Sequence, residues 1–462
     1  MRTNRRAVKQ VGRCADEQAG KQPDEWTDSR AARQGGKNMP GTFFGMNIAR
    51  SGMLTYNTWL NTTGHNIANI RTEGYSRQTV NQEATVPIKM GTSYGMMGSG
   101  VDAISIESQR DIYYDEKYRM SNSEYGKYET ASTFMKDIED LLYAKTTDSG
   151  AITNSMNNFL QRMSGWTTDS ESASVRKEVV GYADLLMQNI NEAADRLKEI
   201  QKDVNSQIAD TVDQINAYAQ EIASLTQQIN TLEVYGTKAC DLRDQRAYIL
   251  DKLSELADIN VNDREAKENE GVNQYIVSVD NAILVDTYNV NLLRYEARDT
   301  YNALDDIDSL YDLRWSTGQD FGIHDTALGG KLQALFELRD GNNGEIFTGK
   351  TSVKKGDVKV VVTDVNELGS NLFKLQIPEQ NGVLTVDHAE YEYKYFECEV
   401  DENGTYEYTF YLKDGTSVAR DLSDVNAKVS DAVDFRGIPY YQSQLNEFVR
   451  TFAYYFNEQH MQ

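Results

Sequence analysis

Apolar side chains recur at alternating steps of three and four residues near the start of the chain. These positions, called the seam below, are Met46, Ala49, Met53, Tyr56, Leu60, Thr63 and Ile67. Such steps place side chains along one narrow side of a helix, as in a coiled coil. The opposite side carries polar residues such as Asn47, Thr55 and Asn61. Because a lone helix with so narrow a stripe is marginal in water, we predict that it packs against another helix.

A longer run of apolar residues predicts one continuous helix farther along the chain. Its positions follow steps of three, four and seven without a proline, and they are Ile190, Leu197, Val204, Ile208, Val212, Ile215, Ile222, Leu225, Ile229 and Leu232. At about 1.5 Å per residue, a helix over residues 172–234 would be about 90 Å long. Globular helices are usually shorter, so the run predicts a bundle arm or coiled coil. We interpret its Gln and Asn residues as a solvated face.

Alternating apolar residues predict strands in two regions that follow these helices. We therefore predict an α+β multidomain fold, with a long helical bundle or coiled-coil core and strand-rich outer domains. The predicted segments are a disordered extension or wrongly assigned start (1–38), the seam helix and a turn (39–78), a helical core domain (79–258), a small β region (259–328), a connecting helix (329–340), an inserted β domain (341–433) and a helix returning to the core (434–462).

Charge and cysteine content narrow the function classes. The 462 residues include 71 acidic and 47 basic side chains, for a net charge of −24. This balance argues against nucleic acid as a partner, because phosphate binding needs clustered Lys and Arg. No apolar run approaches 18 residues, so membrane insertion is not expected. Cys14, Cys240 and Cys398 match neither a zinc site nor a disulfide spacing.

The sequence offers little for catalysis. No nucleophile motif or phosphate-binding loop occurs, and the four histidines are scattered at His65, His324, His388 and His460. Asp305, Asp306 and Asp308 form a local acidic cluster, but they lack the glycine and final glutamate of a calcium-binding loop. We interpret the cluster as a solvated loop. No catalytic residue, metal site or cofactor is predicted.

The seam helix continues into two short polar runs. These are Asn66-Ile67-Ala68-Asn69 and, after Thr72, Gly74-Tyr75-Ser76-Arg77. Together with Ser51-Gly52-Met53 and Leu60, they resemble the N-terminal signature of the bacterial flagellar axial proteins, which form the rod, the hook and the hook junctions. Residues 66–78 are called the signature turn below. The resemblance implies a structural subunit rather than an enzyme, and it implies that the seam serves axial self-assembly.

A second resemblance follows the long helix, in a segment called the signature helix below. It is similar to a stretch in the hook-associated, hook–filament junction members of that family, through Leu242, Arg243, Asp244, Gln245, Arg246, Leu250 and Leu253. Leucines of this segment, with Ile249, would form a buried face. We expect its Asp and Arg residues to pair along the helix, at roughly 0.2–0.5 kcal/mol per pair.

The resemblance also implies a setting and partners. Copies of the chain would assemble into a ring outside the cell, between hook and filament. Expected partners are the chain itself, the hook protein, a second hook-associated junction protein, the flagellar type III export apparatus and an export chaperone. Family members begin near the seam and continue beyond the last residue here. We therefore expect residues 1–38 to be dispensable, and a C-terminal segment that pairs with the seam and holds the chaperone site to be missing.

An alternative stays open at this point. The chain could be a rod-type or hook-type axial protein whose inserted β domain is adhesive or enzymatic. The tyrosine-rich run at 391–396 would support an adhesive surface.

Overall fold

The computed structural model describes most of the residues of the chain. They are 43–89, 95–142, 152–168, 171–234, 236, 238–264, 273–279, 282–324, 328–401 and 404–461. Long helices, small antiparallel sheets and a barrel confirm the predicted α+β multidomain fold class. Residues 1–38 lie outside the described part, and the predicted domain boundaries remain predictions. None of the described helices is long and apolar enough to cross a membrane.

The first of two compact units contains the described residues 43–65, 79–89 and 95–106. Helix α1 spans Phe44–Ala68. Strand β1 (Gln78–Ala84) pairs with β4 (Val101–Ser108), and the short strands β2 (Ile88–Lys89) and β3 (Met96–Met97) pair with each other.

Helix α1 turns polar residues toward β4. Thr55 is buried, and its hydroxyl donates to the Val101 carbonyl at 3.2 Å. The Val101 amide donates to the Ser51 hydroxyl at 3.3 Å. Gly100, with φ of 131°, lies so close to Ser51 that a Cβ would overlap its hydroxyl, which accounts for the glycine. The polar side of α1, opposite the seam, therefore makes the contacts within this unit.

The second unit comprises residues 66–78 and 107–462 and contains the long helices. These are α2 (Ile112–Leu142), α3 (Ile152–Thr168), α4 (Ala173–Glu233) and α5 (Cys240–Leu256). Helix α4 has 61 residues and ends within one residue of each predicted limit. Leu197, Val204 and Ile208 on its apolar stripe are fully buried. The long helix predicted from apolar spacing is confirmed.

The interpretation of the α4 amides as a solvated face is wrong for several of them. Asn189, Gln201, Asn205 and Asn230 are buried. Gln201 Nε2 donates to an Asp306 carboxylate oxygen at 2.9 Å, and Asn205 Oδ1 accepts from the Tyr311 amide at 2.9 Å. Irregular segments pack on α4 here, and their buried polar groups need hydrogen-bond partners.

Two small antiparallel sheets follow α5. One has the order β5 (Ile259–Arg264), β6 (Gln274–Val279), β7 (Ala282–Asp286), β8 (Asn289–Val290); the other pairs β9 (Leu293–Ala297) with β10 (Tyr311–Trp315). Alternate residues of β6, namely Tyr275, Val277 and Val279, are buried in the core shared with the helices. Helix α6 (Gly330–Asp340) is buried on nearly all sides and packs against α2, α4 and α5.

Residues 347–429 form a closed antiparallel barrel with its own apolar core. The strands are β11 (Phe347–Val353), β12 (Lys359–Thr363), β13 (Val383–Val386), β14 (Ala389–Val400), β15 (Tyr406–Leu412) and β16 (Leu422–Val429), with the short helix α7 (Glu367–Ser370) after β12. Their order is β11-β12-β15-β14-β13-β16. Closure leaves no free strand edge. Helix α8 (Ile438–Met461) follows the barrel.

Strand β14 corrects one detail of the sequence analysis. Tyr391 and Tyr393 are 5% and 1% exposed, so they belong to the barrel core and form no adhesive surface. Tyr395 points outward and stacks on Tyr411 with the ring centroids 4.5 Å apart. The apolar residues of 372–375 also predict a short strand, but residues 372–374 form a turn after Asn371 instead.

The acidic cluster is only in part the solvated loop that we expected, since Asp308 is exposed but Asp305 and Asp306 are paired or buried. The Asp306 side chain is 1% exposed, and one carboxylate oxygen accepts the backbone amides of Asn302 and Ala303 at 2.8 and 3.0 Å. The same oxygen lies 3.4 Å from Arg298. Asp305 contacts Lys198 at 3.5 Å. These carboxylates are buried or paired because the loop packs on α4, which local charge density could not show.

Candidate functional site

The signature turn and the signature helix meet in the second unit, although their bonded residues are 168 positions apart. The Ser76 amide donates to Asp244 Oδ2 at 2.9 Å. Gln78 Nε2 donates to Asp241 Oδ1 at 2.6 Å, and the Tyr248 hydroxyl donates to the Glu73 carboxylate at 2.6 Å. The second half of the turn is therefore docked on α5.

One amide side chain closes the signature turn on itself. Asn66 Nδ2 donates to the Gln78 carbonyl at 2.9 Å, while Asn66 Oδ1 accepts the Gln78 amide at 2.9 Å. The same oxygen accepts the Tyr75 hydroxyl at 2.7 Å. A carboxylate could not replace Asn66 here, because the site needs a donor and an acceptor together.

Gly74 lets the turn approach the helix. Its φ is 74°, in the left-handed region that favours glycine. A Cβ at this position would lie 2.7 Å from the Tyr248 Cβ. Backbone conformation and close approach therefore both require glycine in the Gly-Tyr-Ser-Arg run.

A cluster of charges surrounds Asp244. Burial raises the pKa of its carboxyl, and hydrogen bonds from Ser76 together with the Arg110 charge offset part of that rise. Arg110 lies 4.0 Å from Asp244 and 3.4 Å from Asp251, and it also pairs with Asp115. The Arg119 Nε donates to Asp251 at 3.0 Å. The charges link the segment after β4 and helix α2 to α5.

A cleft of about 540 Å³ opens beside this cluster. Arg243 holds Glu233 with two hydrogen bonds of 2.7 and 2.6 Å. Arg246 lies over the Tyr275 ring, 3.4 Å from its centroid, and 3.5 Å from Asp263. The expected pairing of these arginines along their own helix is therefore wrong: both reach residues on neighbouring elements.

The side chains that line the cleft connect neighbouring elements of the fold. Burial raises the pKa of the Cys240 thiol, which favours its protonated form. Within the described part of the chain, no group of three or more His, Cys, Asp or Glu side chains is placed to hold a metal ion. The charged groups in the cleft instead join α2, α4, α5 and β5.

The remaining predicted residues divide between core and surface. In the signature helix, Leu250 and Leu253 are fully buried, Leu242 is half-buried and Gln245 is exposed. In the signature turn, Ala68 and Arg77 are exposed and Asn69 is half-buried. All seven seam residues are exposed on α1. Among these seam residues, Met53 and Leu60 are 73% and 70% exposed.

Sequence reasoning missed several members of the site, notably Asp251, Glu233 and Tyr275. Asp251 follows Asp244 by seven residues, which places both on one side of α5, so this spacing was a usable signal. Glu233 and Tyr275 carry no comparable signal, because they approach α5 only through the folding of α4 and β6.

Asp244→Ala should release the signature turn without unfolding α5. The change removes the acceptor of the Ser76 amide and a carboxylate near Arg110, at a cost of about 1–3 kcal/mol for the groups left unpaired. We expect faster hydrogen exchange at Ser76, measured by mass spectrometry, with the helical circular dichroism retained. Gln245→Ala, an exposed change on the same helix, is the matched control. Unchanged exchange in Asp244→Ala would show that the turn is held elsewhere.

Comparison with known proteins finds a matching family model and several relatives of this chain. Residues 135–348 match the family model described as the flagellar hook-associated protein FlgK helical domain. The chain is 34% identical over 230 residues to flagellar hook-associated protein 1 of Bacillus subtilis, which covers 48% of this chain and 45% of that protein. It is 28% identical over 219 residues to the Salmonella typhimurium protein of the same name, covering 47% and 38%. The predicted resemblance to the hook junction proteins is confirmed.

A solved structure is also similar, that of the flagellar hook junction protein FlgK from Burkholderia pseudomallei. It shares 17% identity and a TM-score of 0.45, covering 70% of this chain and 63% of that chain. The present chain matches less than half of the length of the two relatives named above.

Proposed function

We propose that this chain, similar to flagellar hook-associated protein 1 over its helical part, is a structural subunit of the bacterial flagellum that joins hook to filament. The observation that carries the proposal is the exposed seam on α1. Within the chain α1 packs through polar residues and leaves Met53 and Leu60 in water. An exposed apolar stripe of this kind marks a surface that interacts with another protein segment.

The docked signature turn supports the same role. It holds the residues directly after α1 on the helical core through Ser76 and Gln78. The family signature in this turn therefore has a structural role in the fold, as expected of a structural subunit. The proposed partners are other copies of the chain, the hook protein, a second junction protein, the type III export apparatus and an export chaperone. We place the subunit outside the cell, with the barrel facing outward, and assign it no catalytic activity.

Deleting the gene tests the proposal in the bacterium that carries it. Cells should retain hooks but lose filaments, because no subunit would join the two, and electron microscopy should show bare hooks.

A gene that starts at Met39 should restore filaments, since residues 1–38 have no apolar periodicity. Normal filaments after deletion would contradict the junction role. If the full gene restored filaments but the gene starting at Met39 did not, residues 1–38 would not be dispensable.

A further inference from the structure

The barrel has an apolar core of its own, which shares no residue with the core of the helices. The chain enters the barrel after α6 and leaves it before α8, so residues 341–346 and 430–437, called the stem below, form the covalent connection. Domains that meet through polar contacts usually move relative to each other. The default expectation is therefore a barrel that swings on its stem.

The two chain segments of the stem are held side by side. Asn342 Nδ2 donates to the Asp431 carbonyl at 2.8 Å, and Asn342 Oδ1 accepts the Val433 amide at 3.0 Å. At the base of the stem, a Cβ on Gly341 would lie 2.7 Å from the Gly437 nitrogen, so the two segments are in direct contact. The stem is therefore well ordered, but a single connection of this kind still permits rotation about its own axis.

A loop that packs on α4 makes a second contact with the barrel. The backbone amides of Tyr301 and Leu304 donate to the carbonyls of Asn381 and Gln376 at 3.0 and 3.1 Å. The loop itself is fixed on α4 through the buried Asp306 carboxylate, which accepts a hydrogen bond from that helix. The barrel is thereby joined to a segment that belongs to the helical core.

Helix α8 makes a third contact, with the turn between α7 and β13. Arg450 Nη1 donates to the carbonyls of Leu372 and Leu375 at 3.3 and 2.9 Å. The Tyr454 ring lies against Phe373, with the two ring centroids 5.3 Å apart. Arg450 and Tyr454 are one helical turn apart, so one side of α8 makes both contacts with the barrel.

Helix α8 is in turn anchored on the helical core. Phe452 and Phe456 pack against Phe159 of α3, with ring centroids 6.2 and 6.0 Å apart. Phe159 is 3% exposed. The two phenylalanines follow Arg450 and Tyr454 by two residues each, which places them on the opposite side of the helix. One side of α8 therefore holds the barrel while the other packs on α3.

We propose that the loop at 301–304 and helix α8 lock the barrel on the helical core, so that the barrel is a fixed arm rather than a domain that swings on its stem. The stem alone permits rotation, whereas contacts on two further elements oppose it. The inference goes beyond the proposed junction function and does not depend on it. A load on the barrel would reach α3 through α8, and in a ring every copy would present the same outline.

Distances between spin labels in the purified full chain test this inference. p-Acetylphenylalanine stands in place of Lys202 on α4 and of Glu407 on β15, both exposed, and each is coupled to a nitroxide. Double electron–electron resonance in frozen solution should give a single distance between the two labels. The width of this distance distribution should be close to that for labels at Gln188 and Lys202, which lie on one helix and cannot move relative to each other.

Removing the α8 contacts should release the barrel. Arg450→Ala with Tyr454→Ala deletes both contacts, and alanine favours the helix, so the helical circular dichroism should be unchanged. The width of the distance distribution between positions 202 and 407 should at least double. The matched control is Gln444→Ala, which changes an exposed residue of the same helix and should leave the width as in the wild type.

Two results would overturn the inference. A broad distribution in the wild-type chain would show that the barrel swings on its stem, and a narrow distribution that persists in the double variant would show that α8 does not hold it. Should the double variant unfold, Arg450→Met provides a second measurement, because it keeps most of the side-chain volume and removes both hydrogen bonds. An unchanged width in Arg450→Met would likewise reject the lock. Filament formation enters none of these measurements, so the junction function would stand in either case.

Discussion

Leu60→Asp should abolish filament formation while leaving the purified chain folded. Leu60 is 70% exposed, so a carboxylate costs little in the isolated subunit. In the proposed assembly the seam would be buried, and an unpaired charge there would be strongly unfavourable. We expect at least a tenfold drop in cells with filaments, counted by electron microscopy, with unchanged helical circular dichroism.

Asn61→Asp is the matched control for this experiment. It adds the same charge to the next residue of α1, which is also exposed but lies off the seam. Filament counts should stay near the wild-type level. Equal loss in both variants would mean that any negative charge on α1 blocks assembly, and the specific role of the seam would be withdrawn. Normal filaments in Leu60→Asp would mean that the seam stays in water.

Local periodicity was sufficient to predict the parts of this fold that depend on one helix. The limits of α4 follow from its apolar spacing, and the helical conformation of α1 follows from steps of three and four within 25 residues, whereas the packing of the seam stays a prediction. In both cases the spacing of residues along one helix determines which side chains lie on the same side of it. Neither prediction required knowledge of distant contacts.

Contacts between distant segments could not be predicted in the same way. Both signature segments were identified from sequence, but the bond from Ser76 to Asp244 depends on how the intervening residues fold. Burial of Asp306 depends likewise on Arg298 and on the Gln201 amide from α4. A local charge run has the same appearance whether it is solvated or paired in a core.

The second large effect is expected in a buried network that joins α4, α6 and β10. Arg339 is fully buried and holds Asp340 through bonds of 3.0 and 2.6 Å. It also donates to Asn205 Oδ1 at 3.3 Å and to the Tyr311 carbonyl. Arg298 completes the group at 3.4 Å from Asp340.

Arg339→Met should lower the free energy of unfolding by about 3–5 kcal/mol, because it leaves a buried carboxylate without its main partner. The measurement is a urea transition followed by far-ultraviolet circular dichroism at neutral pH. Arg196→Met is the control, since Arg196 pairs with Glu192 at 3.0 Å on the exposed surface of α4. Such exposed pairs contribute under about 0.5 kcal/mol. Similar losses in the two variants would show that the buried network adds no particular stability.

The pH dependence separates the charge of Arg339 from its packing. Burial opposes ionisation of Asp340, but Arg339 and Arg298 outweigh it and hold the pKa at about 2, below the ordinary 3.8. A carboxyl with a depressed pKa stabilises the fold above its unfolded value and loses that contribution as pH falls toward the folded value. Burial raises the pKa of Asp306, which acts in the opposite sense, so the useful quantity is the difference between wild type and Arg339→Met. This difference should be constant near neutral pH and shrink as the pH falls toward 2, because the Asp340 carboxyl becomes protonated first in Arg339→Met and only at lower pH in wild type. A difference that does not change across that range would assign the loss to packing rather than to the ion pair.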